Sequence, residues 1–196
     1  MTSVAARVGL IRHGRTDWNR ARRIQGQCDV PLDEEGLAQA ERLAALALPC
    51  SPVALYTSDL LRARQTAAVL AARTGLTPQP CRTLRERHFG LLQGLDADEA
   101  QVRQPEFWQR HKQRDPYCGF GPGESLTLFM QRVERTLRAL ARRHAGDALL
   151  IVTHAGVIEM ADRLARNEPL QTPRRMPIAH CQPYWFIVGD DFRQQD

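Results

Sequence analysis

Residues 147–154 read DALLIVTH. Five apolar residues run together, with no polar position between them. A strand with one wet face would alternate apolar and polar side chains. This run reads instead as a strand buried on both faces, the kind found where helices cover both sides of a parallel sheet. The next stretch, AGVIEMADRLA, places apolar residues at helical spacing, so the strand feeds directly into a helix. The same alternation recurs on either side. ARVGLIRHG (6–14) reads as a strand ending at Arg12, and residues 14–32 as a loop with Pro31 near its end. Asp33 is an N-cap for a helix carrying Leu37, Ala40, Leu43, Ala44, Ala47 and Leu48, stopped by Pro49. VALYTS (53–58) is a strand. Leu60, Ala63, Ala67, Leu70 and Ala71 mark a second helix, with Gly75 just past its end.

QPCRTLRE (79–86) reads as extended. Asp96 with Glu99 is a capping box for a third helix. Residues 115–124, DPYCGFGPGE, are a Gly/Pro-rich loop. Ser125 caps a long helix whose inner face is Phe129, Val133, Leu137, Leu140 and Ala141. PYWFIV (183–188) is a last strand. Strands alternating with helices predict an α/β sandwich with a largely parallel central sheet.

The chain has 196 residues, enough for one domain with a sizeable core. The net charge is +5, which raises nucleic acid as a partner. Every basic residue except Lys112 is arginine, and the arginines are spread along the chain rather than gathered in one segment. That argues against a nucleic-acid face and fits attraction of a small anion. The five cysteines form no CxxC pair, and their number is odd. A disulfide framework or zinc site is not expected, and a cytoplasmic location is. The first ten residues lack the apolar run of a signal peptide, and no stretch has the length of a membrane span.

The chemistry gathers at strand ends. His13 follows the first strand and His154 follows ALLIV. In an open α/β sheet, ligands bind beyond the carboxyl ends of the strands. After His154 the chain turns through Ala155 and Gly156 into a helix, whose N-terminus offers backbone N–H groups to an anion. Arg62 opens the helix after LYTS, and Arg12 adjoins His13. Two histidines, two arginines and a helix N-terminus suit a phosphate dianion. A neutral imidazole there can attack phosphorus in line while the cations hold the equatorial oxygens. Glu86, in LRERHFG, is the candidate acid for the leaving oxygen.

These segments resemble a known series. LIRHGRTDWN with IQG, TSDLLRARQTA, LRERHFG, GPGES and VTHAGVI is similar, in order from about residue 8 to residue 158, to the motifs of the histidine phosphatase superfamily, phosphoglycerate mutase-like branch. The resemblance implies a three-layer sandwich with a mixed, mostly parallel sheet. It implies one domain over 1–196, with a lid or specificity segment around 90–124. It assigns His13 as the phosphorylated nucleophile and Glu86 as proton donor. Arg12, Arg62 and His154 complete the phosphate pocket, and Asn19, Gln25, Gly26 and Ala155 contact phosphate or substrate. It implies no metal and no cofactor, a small phosphorylated metabolite as partner, and neither nucleic acid nor membrane. A homodimer is left open.

The pattern departs in places. Many relatives have Glu where Arg15 stands, which would add positive charge at the pocket rim. ERHFGLLQG is similar to the mutase segment, yet Phe89 replaces its tyrosine. RHKQRDPY (110–117) lacks the adjacent arginine pair with which mutases hold a carboxylate. THAGVI looks more like the phosphatases. A phosphomonoesterase is the favoured reading, with a cofactor-dependent phosphoglycerate mutase-type phosphotransferase as the alternative. His88, His111, His144 and His180 read as surface or structural. Trp18, Phe89, Phe107, Trp108, Tyr117 and Phe120 are divided between cleft lining and ordinary packing.

Overall fold

The computed structural model describes residues 4–46, 50–175 and 177–195. β1 (Ala6–Arg12), β2 (Ala54–Thr57), β3 (Pro78–Pro80), β4 (Ala148–Thr153), β5 (Pro183–Val188) and β6 (Phe192–Gln195) form one six-stranded sheet in the order β3-β2-β4-β1-β5-β6. The first four positions are mutually parallel. β5 runs antiparallel to β1, and β6 antiparallel to β5. The sheet is therefore mixed and mostly parallel, as expected.

Alternation along the central strands supplies two cores. Val8 and Leu10 of β1, with Leu149 and Ile151 of β4, face α6 (Leu126–Arg143) and α7 (Ala155–Arg166). Ile11, Leu55, Leu150 and Val152 face α2 (Glu34–Ala45) and α3 (Leu61–Thr74). The predicted inner face of α6 is buried throughout, and Ser125 caps it by accepting from the Leu128 N–H. Gly75 closes α3 in the left-handed conformation.

Several local expectations needed correction. The 14–32 loop contains one helical turn, α1 (Asp17–Arg20), capped reciprocally by Thr16 and Asn19. The segment around 79–86 is extended only at β3; Arg82–Leu84 forms a 3-10 turn. The helix capped by Asp96, α4 (Ala97–Arg103), is followed at once by α5 (Pro105–Lys112), whose first-turn proline marks a helix start that hydropathy did not signal. β6 was also missed, because FRQQ is a polar edge strand without apolar alternation. The predicted stop at Pro49 lies outside the described residues. No described helix is long and apolar enough to cross a membrane. The 90–124 segment holds a third small core, in which Leu92, Leu95, Ala100 and Phe120 pack with Phe107 and Trp108.

On α2 it is Gly36, not Leu37, that faces inward; Leu37 is exposed. The reason is a backbone contact. A Cβ on Gly36 would lie 2.0 Å from the Arg15 carbonyl, and one on Gly14 would lie 2.4 Å from the Gly36 carbonyl. The start of α2 thus rests directly on the loop that follows His13. Gly36→Ala should lower the unfolding free energy by about 1–3 kcal/mol, the usual cost of forcing an extra carbon into packed surroundings. A urea midpoint equal to that of the wild type would show that the two backbones part without cost.

Candidate active site

Strand register brings the two histidines together. Arg12 of β1 pairs with Thr153 of β4, and the His13 N–H donates to the Thr153 carbonyl at 2.9 Å. The next residues, His13 and His154, therefore emerge side by side, with ring centroids 5.1 Å apart. On the other side of β4, the Ser58 N–H extends the β2 ladder to Val152. The chain then turns into α3, so Arg62 arrives within the first turn.

His13 is 4% exposed and His154 fully buried. The Gly14 carbonyl lies 2.7 Å from His13 Nδ1. A carbonyl only accepts, so Nδ1 carries the proton and Nε2 keeps its lone pair. That lone pair faces the Arg62 Nε–H at 3.2 Å. Burial above all, then Arg62 and Arg12, holds the His13 pKa well below its usual value. His154 is lowered likewise by burial and then by Arg62 and His13. Both rings are neutral near pH 7. His154 Nε2 meets Ser58 Oγ at 2.8 Å.

Arg62 is 1% exposed and donates to the Gly26 and Cys28 carbonyls at 2.7 and 2.8 Å. Arg12 donates to the Ile178 carbonyl at 2.6 Å. Burial pushes both guanidinium pKa values down to about 10, so both remain charged at neutral pH. Arg12, His13, Asn19, Gln25, Gly26 and Arg62 line a cleft of about 290 Å³, and Glu86 and Ala155 line it as well. Each site residue predicted from sequence is at this cleft or, for His154, packed against His13. Four buried polar atoms without a protein partner belong here: Arg12 Nε, Gln25 Oε1, His154 Nδ1 and His111 Nδ1. Unpaired buried polar atoms are uncommon, and their clustering marks a place built for a polar ligand.

Glu86 changes the expected role of the helix terminus. Its carboxylate accepts from the Gly156 N–H at 3.0 Å and from the Arg87 N–H at 2.8 Å. The first turn of α7 thus spends a backbone donor on Glu86 rather than offering it to a bound anion, an arrangement the helix dipole favours. Arg132 of α6 fixes the segment that carries Glu86. It donates to the carbonyls of Thr83, Arg85 and Glu86 and pairs with both oxygens of Glu124.

Some residues at the site escaped the sequence reading. His180 Nδ1 meets the His13 carbonyl at 2.7 Å, and His111 lines the cleft against Phe89, Trp108 and Phe120. Neither is a surface histidine; burial, chiefly, lowers each pKa to about 4. No local pattern could reveal His180, which is 167 residues from its partner. His111 sits on α5, a helix not foreseen. Ser58 and Arg132 carried no signal either. Of the aromatics, Phe89 lines the cleft, Phe107, Trp108 and Phe120 pack in the third core, and Tyr117 is exposed. Trp18 lies near Gly94, and His144 pairs with Tyr56. Arg15 does not charge the rim of this cleft: its Nε donates to Asp33 at 2.8 Å.

The family model of the histidine phosphatase superfamily (branch 1) matches residues 8–194. Phosphoglycerate mutase-like protein 4 of Arabidopsis thaliana is 38% identical over 164 residues, covering 82% of this chain and 71% of that protein. The metal-independent phosphoserine phosphatase of the same plant is 40% identical over 161 residues, covering 80% and 67%. The solved mycobacterial glucosyl-3-phosphoglycerate phosphatase superposes with a TM-score of 0.82 at 27% identity, covering 96% of each chain.

A Cβ on Gly156 would lie 2.1 Å from Glu86 Oε1. Gly156→Ala should therefore displace that carboxylate, and it also presses on Phe129 of α6, whose ring lies 3.0 Å from the same Cβ; a crystal structure with Glu86 unmoved would contradict the contact. His13 and His154 have folded pKa values below their unfolded value of about 6.5. Their contribution to stability is complete above that value. As pH falls below it, the unfolded chain takes up protons that the fold refuses. Unfolding free energy should fall by roughly 1.4 kcal/mol per pH unit for each of the two. Urea titrations from pH 8 to pH 5 measure this, and a flat profile would mean that the rings are not neutral in the fold.

Proposed function

This chain belongs to the histidine phosphatase superfamily, and on that premise we propose that it is a metal-independent phosphomonoesterase that hydrolyses a small phosphorylated metabolite through phospho-His13. The observation that carries the reading is the state of His13: a buried, neutral imidazole whose Nδ1–H is anchored on Gly14 and whose Nε2 faces Arg62. The names of the relatives add support, since two of the three are phosphatases.

The phosphoryl group of the ester enters between Arg12 and Arg62, which exchange part of their contacts for its oxygens. Arg62 Nε gives up His13 Nε2, freeing the lone pair. Nε2 attacks phosphorus, and the bond to the ester oxygen breaks in line. Glu86 donates a proton to that oxygen, and the alcohol leaves. The two guanidinia and His154 hold the equatorial oxygens, where a preorganised charge in a dry site lowers the barrier most. Water then attacks phospho-His13 while the Glu86 carboxylate takes its proton. The P–N bond breaks and inorganic phosphate departs. Asn19, Gln25, Gly26 and Ala155 shape the cleft around the phosphoryl group and its ester. The 90–124 segment closes one wall through His111.

Transfer to a bound sugar acid would share the first half of this sequence. Against it stands the region where mutases carry an arginine pair. Here Arg110 pairs with Asp115, and Arg114 turns to Glu159, so the two do not act together.

The test is phosphate release with EDTA present, from a panel of aryl, alkyl, sugar and acid phosphates. Wild type should turn over and trap an acid-labile phosphoenzyme. His13→Ala should lose both. Glu86→Gln should slow alkyl esters about 10²–10⁴-fold and aryl esters much less, because a good leaving group needs little protonation. Equal effects on both classes would remove Glu86 from the acid role. Phosphoglycerate interconversion that requires a bisphosphate primer, without phosphate release, would replace hydrolysis by transfer.

A further inference from the structure

Hydrolysis through phospho-His13 asks opposite things of two neutral histidines. His13 must present a lone pair to phosphorus, and His154 must present a proton to the phosphoryl oxygens. A neutral imidazole has one nitrogen of each kind, and the partner of one nitrogen decides the state of the other. For His13 that partner is the Gly14 carbonyl, which holds the proton on Nδ1 and leaves the Nε2 lone pair. For His154 it is a hydroxyl.

Ser58 follows β2, one residue beyond the Thr57–Val152 pair of the ladder, and its N–H donates to the Val152 carbonyl. That register sets it beside His154, 96 residues away in the chain. Its Oγ lies 2.8 Å from His154 Nε2, and both residues are 0% exposed. A hydroxyl has one proton and two lone pairs. One lone pair faces the Leu60 N–H at 3.4 Å. Among the described residues the hydroxyl proton has one acceptor, His154 Nε2. If the bond ran the other way, from Nε2–H to Oγ, the serine proton would be buried without an acceptor, at a cost of about 1–3 kcal/mol. Ser58 therefore donates, Nε2 is the bare nitrogen, and the His154 proton is on Nδ1.

That Nδ1 is buried and has no partner in the protein. With Nε2 taken by Ser58, it is the ring nitrogen left to meet a phosphoryl oxygen. As N–H it donates to that oxygen. As a bare nitrogen it would turn a lone pair toward the lone pairs of a dianion. Burial above all, then Arg62 and His13, keeps the ring from taking a second proton. His154 cannot serve both sides by becoming charged, so its tautomer decides whether it attracts the phosphoryl group or repels it.

We propose that Ser58 is a positioning residue of the reaction: its hydroxyl donates to His154 Nε2 and so holds the His154 proton on Nδ1, where it meets the equatorial oxygens. This role rests on the phosphomonoesterase reading, and it adds the group that sets the second histidine's tautomer.

Nitrogen-15 NMR of histidine-labelled wild type near neutral pH reads the tautomer directly, with the His154 signals identified by their loss in His154→Gln. Nδ1 should carry the proton and Nε2 should be bare. A proton on Nε2 would overturn the proposal, whatever the protein turns over. In Ser58→Ala the proton should be shared between the two nitrogens, and kcat/KM for p-nitrophenyl phosphate should fall about 10- to 100-fold. That is less than the full loss of one donor to developing charge, because the useful tautomer is still partly populated. Ser58→Thr, which keeps a hydroxyl, should restore the Nδ1 proton and most of the rate. A wild-type rate in Ser58→Ala would remove the role. So would a slowed Ser58→Ala that keeps its proton on Nδ1, since the loss would then come from packing. If Ser58→Ala does not fold, the wild-type spectrum decides. If wild type turns over no ester, hydrolysis is what fails, and the spectrum still reports the tautomer. Calorimetric binding of orthovanadate, a phosphoryl mimic, then reads its use: tighter binding to wild type than to Ser58→Ala supports the role, and equal binding removes it.

Discussion

Two guanidinium groups buried beside two imidazoles impose the constraint on which the rest of this structure depends. Arg12 and Arg62 carry charge in a region that water hardly reaches, where an unbalanced ion is costly. The fold answers with backbone carbonyls rather than a dedicated counterion: Gly26 and Cys28 for Arg62, and Ile178 for Arg12. Carbonyl dipoles stabilise the cations without neutralising them, so a positive potential remains for a dianion. Burial first, and that potential second, keep His13 and His154 neutral. The cost of burying cations and the neutrality of the two imidazoles are thus two results of one arrangement.

Close backbone approaches hold that arrangement. Gly14 rests on Gly36, so the loop after His13 is braced by the start of α2. Gly156 lets Glu86 reach the N-terminus of α7, where the Gly156 N–H, together with the N–H of the adjoining Arg87, fixes its carboxylate. Arg132 ties down three carbonyls of the segment that carries Glu86 and links it through Glu124 to the end of the 90–124 segment. The Glu86 carboxylate and its segment are positioned by α6 and α7 together, and a shift of either helix would be felt there.

Glu159 shows a different use of charge. It is a single buried carboxylate shared by arginines from α7, from the segment after α5 and from the loop before β5. One carboxylate among three guanidinium groups leaves positive charge in excess around it.

Much of this was legible in the amino-acid sequence. The unbroken run ALLIV required a strand covered on both faces, and the helical spacing after it required an α/β layer. His13, His154 and Arg62 could be placed at one sheet edge because a strand end and a helix start are local events, readable from period and capping. The motif series brought Glu86, Asn19 and Gln25 into the same group. What only the tertiary structure decided involves partners far apart in the chain. His180 reaches His13 through β5 packing, Arg132 grips the Glu86 loop from the middle of α6, and Arg174 and Arg114 meet on Glu159. The N-terminus of α7 was read as an anion site, but a carboxylate from 70 residues away occupies one of its donors. Helix period, strand burial and caps depend on neighbours within a few residues, so a sequence displays them. Which buried charge meets which depends on how the layers close over one another, and no local pattern encodes that.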